Sequence, residues 1–394
     1  MGTVVIKRPA RRPAPEIPHG DLAVEPPPEI PQATGARWQQ AFMTLPMLGG
    51  SVAMALLMGQ GRGGALSYVI GGLFGVSSLA MLATSFGGSG TPRKAEMMAA
   101  RREYLRHLSG LRRQVRDTAT RQRAGLFYRH PDPGRLWSTV GSHRLWERRP
   151  EDPDFAVARV AVGPQTLATP LVPPVTRPFD DLEPMTAGAL RRFLDTWSVV
   201  PDLPVAVSLR GFARIYVRGD GAAVRDLARA MIGQLAVFHA PDDLLVAVCA
   251  APERRPGWEW VKWLPHNLHP VRTDRLGPVR LVAGSRPELD ELLAEIAGGR
   301  PRFDPSGVAP AVPHVVVLLD GVPGGGDEGT DGVTVLDLGG TPPRLLDRSL
   351  LVLVSSAGKS DRAVMEQAER GGEQRLKPDG SVFRLCEGQP LGLD

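Results

Sequence analysis

The chain has 394 residues, of which 42% are hydrophobic and 23% are charged, and its formal net charge is +5. A chain of this length can bury a full core and is expected to form two or three structural units. Its two cysteines lack metal-ligand spacing and make no disulfide framework. A moderately basic chain suits nucleic acid, anionic lipid or an acidic partner, so the distribution of the charge has to distinguish them.

The N-terminal part changes abruptly in composition. Residues 1–37 are rich in proline and alternate in charge, which predicts a disordered arm or, alternatively, an extended arm that lies along a partner. Two uncharged runs follow at 41–59 and 64–86, and as helices they would be about 28 and 34 Å long. A bilayer core is about 30 Å thick. We therefore predict a two-helix transmembrane hairpin over residues 38–90.

The orientation of this hairpin follows from its flanking charges. The loop between the runs holds Arg62, whereas several lysines and arginines lie on the outer side of each run. The positive-inside rule then places the N- and C-termini in the cytosol. The expected location is the plasma (inner) membrane, with two spans.

Residues 91–129 favour a single basic helix that forms a stalk. Its apolar residues make a narrow stripe suited to pairing with another helix: Met97, Tyr104, Leu108, Leu111 and Val115. The rest of its surface is dense with arginine, which near a membrane would favour anionic lipid headgroups. A solvated basic helix is the simpler alternative. Without interleaved aromatic residues, nucleic acid is not predicted as a partner, and we favour an acidic partner or a neighbouring subunit.

Residues 130–394 alternate between strand and helix patterns. Buried-strand patterns at 244–250 and 314–319 lie among amphipathic helix patterns such as 221–239. This alternation predicts a cytosolic α/β domain with a mostly parallel sheet. Sheets of this kind bind ligands beyond the carboxyl ends of their strands.

Two segments of this domain point to a nucleotide site. The first, 215–236, has the order strand, glycine turn, long helix, and a helix N-terminus can bind phosphate. No lysine follows Gly219 and Gly221, however, and Asp220 would put a negative charge beside a phosphate. The second is Asp320, which ends a long apolar run in the manner of a Walker-B aspartate that holds Mg²⁺. We predict a degenerate nucleotide site at these four residues, with ATP and Mg²⁺ as the candidate ligands; a purely structural turn is the alternative.

Another stretch resembles the end of a phosphate-binding loop. Gly358, Lys359 and Ser360 follow a strand-like run, but a P-loop also needs a glycine at the position of Leu353. We therefore predict a surface turn there.

The remaining chemistry-bearing residues favour packing. His266 and His269 lie between two prolines and have no further ligand cluster beside them. Trp258, Trp260 and Trp263 predict a packed loop or a contact surface. No catalytic arrangement and no metal site are predicted.

The order of segments suggests a family. After the proline-rich arm, the uncharged runs and the basic helix come "HPDPGRLW", "RLWERRPEDPDFAVARVAVG", "LATPLV" and "GWEWVKWLPH". Up to about residue 340, the chain resembles the N-terminal region of EccC, the membrane-anchored FtsK/SpoIIIE-type ATPase of type VII (ESX) secretion systems in actinobacteria.

The resemblance implies a domain after the stalk with a degenerate P-loop, FtsK-like ATPase fold. It implies an inner-membrane complex with other secretion components, in a hexameric or other oligomeric assembly, that exports WXG100-type proteins. The active ATPase domains of the family follow this region, so we expect the chain to be a fragment or a split gene product, and ATP hydrolysis by it is in doubt.

Three functions are compatible with these features. The favoured one is a membrane-anchor and coupling module that docks the cytosolic motor to the membrane complex. The alternatives are an active ATP-binding and ATP-hydrolysing domain, and a DNA translocase of the FtsK class. No DNA-reading module is visible, which disfavours the last of these.

Overall fold

A computed structural model of the chain provides the structure. It describes residues 8, 10–29, 76, 91–173, 182–304, 313–324, 328–342, 348–354, 374–376 and 383–385. The turn predicted at 358–360 lies outside these residues.

The described residues form five α-helices and fourteen strands, joined by short 3₁₀ turns. The helices are α1 (Thr91–Arg129), α2 (Leu136–Val140), α3 (Pro184–Trp197), α4 (Gly221–Phe238) and α5 (Arg286–Ala297). The strands are β1 (Leu22–Ala23), β2 (Val157–Thr166), β3 (Leu171–Val172), β4 (Val199–Ser208), β5 (Arg214–Gly219), β6 (Leu244–Ala250), β7 (Leu268–Asp274), β8 (Gly277–Arg280), β9 (Val282–Ala283), β10 (His314–Asp320), β11 (Val333–Asp337), β12 (Ser349–Val354), β13 (Gln374–Leu376) and β14 (Phe383–Leu385).

The chain divides into two compact units. The first unit comprises Met1–His19, Thr118–Ala168 and Val199–Asp394, and the second comprises Gly20–Asp117 and Thr169–Ser198. Helix α1 is continuous and contributes residues to both.

The first unit is built on a six-stranded sheet with the strand order β12-β5-β11-β10-β6-β9. Every pairing in it is parallel. All seven residues of β6 and of β10 are buried, as expected for central strands that are covered on both faces. The predicted α/β domain with a parallel sheet is therefore present, and the carboxyl ends of its strands meet at one edge of the sheet.

Side chains alternate between the two faces of the sheet. On one face, β6 and β10 present Val246, Val248, Val316 and Leu318 to a core that includes α4 and the antiparallel pair β2–β4. On the other face, Ala247, Cys249 and Val317 pack with α5. Because α4 follows β5 directly, this core also sets the position of the loop between them.

The second unit contains most of α1 together with α3 and the parallel pair β1–β3. The stripe predicted on α1 is buried at four of its five positions, namely Tyr104, Leu108, Leu111 and Val115. The Tyr104 hydroxyl donates to the Glu25 carbonyl (3.1 Å), and Arg101 forms an ion pair with Glu183, the N-cap of α3. The stripe is thus covered within this chain, and a second helix from a partner is not needed to bury it.

Part of the proline-rich arm contacts the folded units. In the first unit, Arg8 forms an ion pair with Asp243 (2.5 Å), and Arg11 forms a bidentate pair with Asp154. In the second unit, β1 pairs with β3. The part of the arm that the structure describes therefore lies along its own chain.

The prediction of a two-helix transmembrane hairpin is contradicted. Among the residues that the structure describes, no helix is both long and apolar enough to cross a membrane. The longest of them, α1, is rich in arginine, which is costly to bury in lipid. The predicted spans, 41–59 and 64–86, lie outside the described residues except for Val76. The structure therefore does not support the two-helix hairpin. It does not support the two-span inner-membrane location with both termini in the cytosol either.

Candidate functional site

Three of the four predicted site residues lie around one small cavity at the carboxyl edge of the sheet. Gly219, Gly221 and Asp320 line it, and Asp220 does not. The other lining residues are Val217, Arg218, Val224, Arg225 and Leu338. Strands β5 and β10 are separated by β11, so their ends lie about 10 Å apart at the usual strand spacing. The two sequence segments that predicted a site therefore do converge.

Gly219 has a structural reason to be glycine. Its φ is +135°, in a region that favours glycine. A Cβ built there would lie 1.7 Å from the carbonyl oxygen of Val354, the last residue of β12. The close approach of β5 and β12 at this edge therefore requires a residue without a side chain.

We expect Gly219→Ala to destabilise the protein by about 3 kcal/mol, because it combines backbone strain with overlap against a backbone carbonyl. Chemical denaturation of the full chain measures this. Gly221→Ala is the matched control, since a Cβ there would contact only the Arg225 side chain at 3.4 Å or more. Equal stability of the two variants would contradict the structural role of Gly219.

Asp220 occupies the N-terminus of α4. It is the N-cap of the helix, and its Oδ1 accepts a hydrogen bond from the Ala222 N–H (3.2 Å). An N-cap carboxylate satisfies a free N–H group and interacts favourably with the helix dipole. The carboxylate of Asp220 therefore lies at the helix N-terminus, where a phosphate could otherwise bind.

Asp320 is buried and hydrogen-bonded to a tryptophan. The indole Nε1–H of Trp258 donates to its Oδ2 (2.9 Å), and both side chains are buried. One carboxylate oxygen of the candidate Walker-B residue therefore positions an aromatic side chain.

The segment that carries this tryptophan, the 3₁₀ turn Arg255–Trp263, has an inward and an outward side. Trp258 and Val261 are buried, whereas Trp263 is 78% exposed. Arg229 of α4 lies over the Trp258 ring, 5.5 Å from its centroid, and also donates to the Gly257 carbonyl. The sequence predicted a packed loop or a contact surface, and the segment packs through Trp258 and Val261 while Trp263 stays exposed. The sequence did not predict the bond to Asp320.

Among the described residues, the cavity is small for a nucleotide. Its volume is about 70 Å³, several times smaller than the roughly 300–1,000 Å³ of typical ligand pockets. Its basic lining residues are arginines, not the P-loop lysine, and Arg218 donates to the Gly339 carbonyl (3.0 Å). Asp320 is the sole carboxylate of this lining. We therefore derive no phosphoryl-transfer step from these residues.

The two histidines noted in the sequence are packing residues. The Nε2–H of His266 donates to the His239 carbonyl (2.8 Å), and that of His269 to the Leu292 carbonyl (3.1 Å). Both rings are buried, and burial lowers the pKa of His266. Backbone hydrogen bonds engage both ring nitrogens of His269. They engage Nε2 alone of His266, whose buried Nδ1 has no partner among the described residues.

Together, the described residues define a parallel α/β module with a small cavity at the carboxyl edge of its sheet. No family model matches the chain. It is 45% identical over 393 residues to the ESX secretion system protein EccC of Thermomonospora curvata, covering 94% of this chain and 30% of that protein. It is 34% identical over 381 residues to the ESX-3 secretion system protein EccC3 of Mycobacterium tuberculosis, covering 96% of this chain and 27% of the relative. It is 38% identical over 258 residues to EccCa1 of the ESX-1 system of the same species, covering 62% and 33%.

This chain is therefore a homologue of the EccC proteins of ESX, or type VII, secretion systems, and the resemblance predicted from the sequence is confirmed. It spans a third or less of the length of these relatives.

Proposed function

We propose that this chain is a coupling module of an ESX secretion complex. In this role it links other components of the complex to a motor without hydrolysing ATP itself. The homology supports a place in such a system. The observation that carries the proposal is the state of the candidate nucleotide site, whose aspartates cap a helix and bind a tryptophan of the same chain.

Helix α1 supports the coupling role. It is a single helix of 39 residues, which is about 58 Å long. In the first unit, the buried Gln122 side chain donates to the Thr166 carbonyl and accepts from the Ala168 N–H, both at 2.9 Å. Arg123 donates to the Pro201 carbonyl at 2.8 Å. In the second unit, Arg101 forms an ion pair with Glu183, and the Tyr104 hydroxyl donates to the Glu25 carbonyl. A helix held by hydrogen bonds near both ends can transmit a displacement along its axis.

The degenerate site has a structural role in this proposal. Gly219 lets β5 and β12 approach, Asp220 begins α4, and Asp320 holds the segment of Trp258 against the carboxyl edge. Gly221 is the first residue of α4, and its small size leaves room for Arg225. Gly219, Asp220 and Asp320 thereby stabilise the carboxyl edge of the sheet.

We expect the purified full chain to show no calorimetric binding of Mg-ATP at micromolar concentrations. We expect Asp320→Ala to lower the free energy of unfolding by about 1–3 kcal/mol, because the Trp258 indole loses its buried acceptor. Tryptophan fluorescence should report the same change. Glu253→Ala, which removes an exposed carboxylate, is the control and should leave stability and fluorescence unchanged.

The same titration tests the alternative function. Micromolar binding of Mg-ATP that Asp320→Ala abolishes and Glu253→Ala leaves intact would overturn the structural role of the site. It would favour an ATP-binding domain instead.

A further inference from the structure

One face of α1 remains uncovered in the second unit. It comprises Met98, Arg102, Leu105, Arg106 and Arg113, and we call it the basic face. At 100° per residue these positions fall within an arc of about 100°. All five are exposed, whereas the buried stripe of the same helix lies on the other side. The basic face is about 22 Å long from Met98 to Arg113.

The three arginines of this face have no ion-pair or hydrogen-bond partner in the part of the chain that the structure describes. They are Arg102, Arg106 and Arg113. Other arginines of α1 are engaged within the chain. Arg112 and Arg116 lie over the Trp197 ring at 5.7 and 5.3 Å, and Arg101 pairs with Glu183. Within the second unit, the helix therefore directs unused positive charge to one side.

The apolar residues of the face indicate the shape of its partner. Met98 is 49% exposed and Leu105 is 44% exposed, and they lie seven residues apart. A repeat of seven places both on one seam that a second helix can follow over two turns. A membrane surface is less well matched, because a helix that lies in the interface presents a broad apolar face. Here arginines flank just two apolar side chains.

We propose that the basic face binds an acidic helical segment of another protein of the secretion complex. Apolar residues of that segment would pack on Met98 and Leu105, and its carboxylates would pair with Arg102, Arg106 and Arg113. Charge complementarity of this kind increases the rate of association and excludes wrong partners. The proposal rests on the coupling role, for which it names a docking surface and the chemistry of the partner.

Site-specific crosslinking in cells that carry the ESX components tests this proposal. A photoreactive amino acid replaces Leu105 in the full chain and, as a control, Gln114, which is exposed on a different side of α1. Mass spectrometry then identifies the crosslinked peptide. We expect a crosslink from position 105 to a net-negative, helix-forming segment of another protein of the complex, and none of this kind from position 114.

Charge reversal provides the second arm. The triple variant R102E/R106E/R113E should reduce the yield of the crosslink at least about tenfold, and so should high salt. The matched control R135E/R149E/R275E reverses three exposed arginines elsewhere and should leave the yield unchanged. Circular dichroism checks that each variant folds.

Three results would overturn the proposal. The first is a crosslinked segment that is neutral or basic. The second is a crosslink yield that the two triple variants reduce equally. The third is that no protein crosslink forms, while the chain sediments with anionic phosphatidylglycerol vesicles in a manner that depends on the three arginines. The last result would assign the face to lipid. None of these results depends on ATP binding, so failure of this proposal and failure of the coupling role remain distinguishable.

Discussion

Replacing Asp154 by asparagine should cost about 3–5 kcal/mol of folding free energy, which is a large part of the stability of a typical domain. The reason is the residue that Asp154 neutralises. The Arg148 side chain is 1% exposed, and its Nε lies 3.3 Å from Asp154 Oδ2. Burial lowers the pKa of Arg148 to about 10, and the charge of Asp154 partly offsets this. Without the carboxylate, a buried guanidinium keeps its charge and loses its counterion.

The remaining contacts of Arg148 do not replace this ion pair. Its guanidinium donates to the carbonyls of Val157 (2.7 Å) and Arg129 (2.5 Å), which are neutral acceptors. Asp154 also accepts two hydrogen bonds from Arg11 of the arm. Burial would raise the pKa of Asp154, but the hydrogen bonds from Arg11 and the charge of Arg148 outweigh it and lower the pKa to about 2. The carboxylate of Asp154 is therefore ionised at neutral pH.

Urea denaturation of the full chain at pH 7.5 measures this effect. Asp152→Asn is the control, since Asp152 is also near Arg11 (3.1 Å) but is 26% exposed, and it should cost less than about 1 kcal/mol. If Asp154→Asn and Asp152→Asn had the same small effect, Arg148 would not depend on this carboxylate.

The second large predicted effect is a loss of folding stability at acidic pH. Burial lowers the pKa of His130, His239 and His314 to about 3, from an ordinary value of 6.5. The charge of Arg148 adds to the effect at the first two, and that of Arg210 at the third. All three rings belong to the first unit and are buried. Between about pH 6.5 and 3, each ring therefore stays neutral in the folded state, whereas the same histidine is protonated in the unfolded state.

The hydrogen bonds of His239 show why its ring must be neutral. Its Nε2 accepts from the Ala156 N–H (2.9 Å), and its Nδ1–H donates to the Leu235 carbonyl (2.9 Å). These partners select the tautomer that carries its proton on Nδ1. A proton on Nε2 would face the Ala156 N–H and break that bond.

The sign of the pH dependence follows from these values. Because the folded pKa lies below the unfolded one, the folded state binds fewer protons between about pH 6.5 and 3. Stability is therefore retained above pH 6.5 and falls as the pH drops through this window, by about 1.4 kcal/mol per pH unit for each histidine. Three histidines together give about 4 kcal/mol per unit, so we expect the first unit to unfold between about pH 5 and 4.

Urea denaturation at a series of pH values from 7.5 to 4.5 tests this expectation. His130→Phe is an informative variant, because the buried Nδ1 of His130 has no partner among the described residues. Its loss should reduce the slope against pH by about a third. Constant stability over this range would contradict the neutral burial of these rings.

Local patterns in the sequence predicted much of the α/β domain. The continuous apolar runs became the buried strands β6 and β10, and the amphipathic period of residues 221–239 became α4. The convergence of Gly219, Gly221 and Asp320 was also predictable, because parallel strands bring their carboxyl ends to one edge. Periodicity and chain direction suffice for such features.

The partners of the site residues could not be predicted from local patterns. The bond between Trp258 and Asp320 joins residues 62 positions apart, and the pair of Arg11 with Asp154 joins residues 143 positions apart. The contact of Gly219 with Val354 is equally remote in sequence. No local pattern marks these pairs, since hydrogen bonding and close packing depend on distances in space.

The prediction of membrane spans also shows the limit of local sequence patterns. Hydropathy identified two apolar runs, but no described helix has the length and apolar character to cross a membrane. In contrast, the apolar stripe and the arginines of α1 were evident from the sequence, and what covers the stripe was not. The amino-acid order specifies which residues avoid water and which carry charge. Folding then selects the partners, because burial leaves each polar group dependent on whichever group lies within hydrogen-bonding distance.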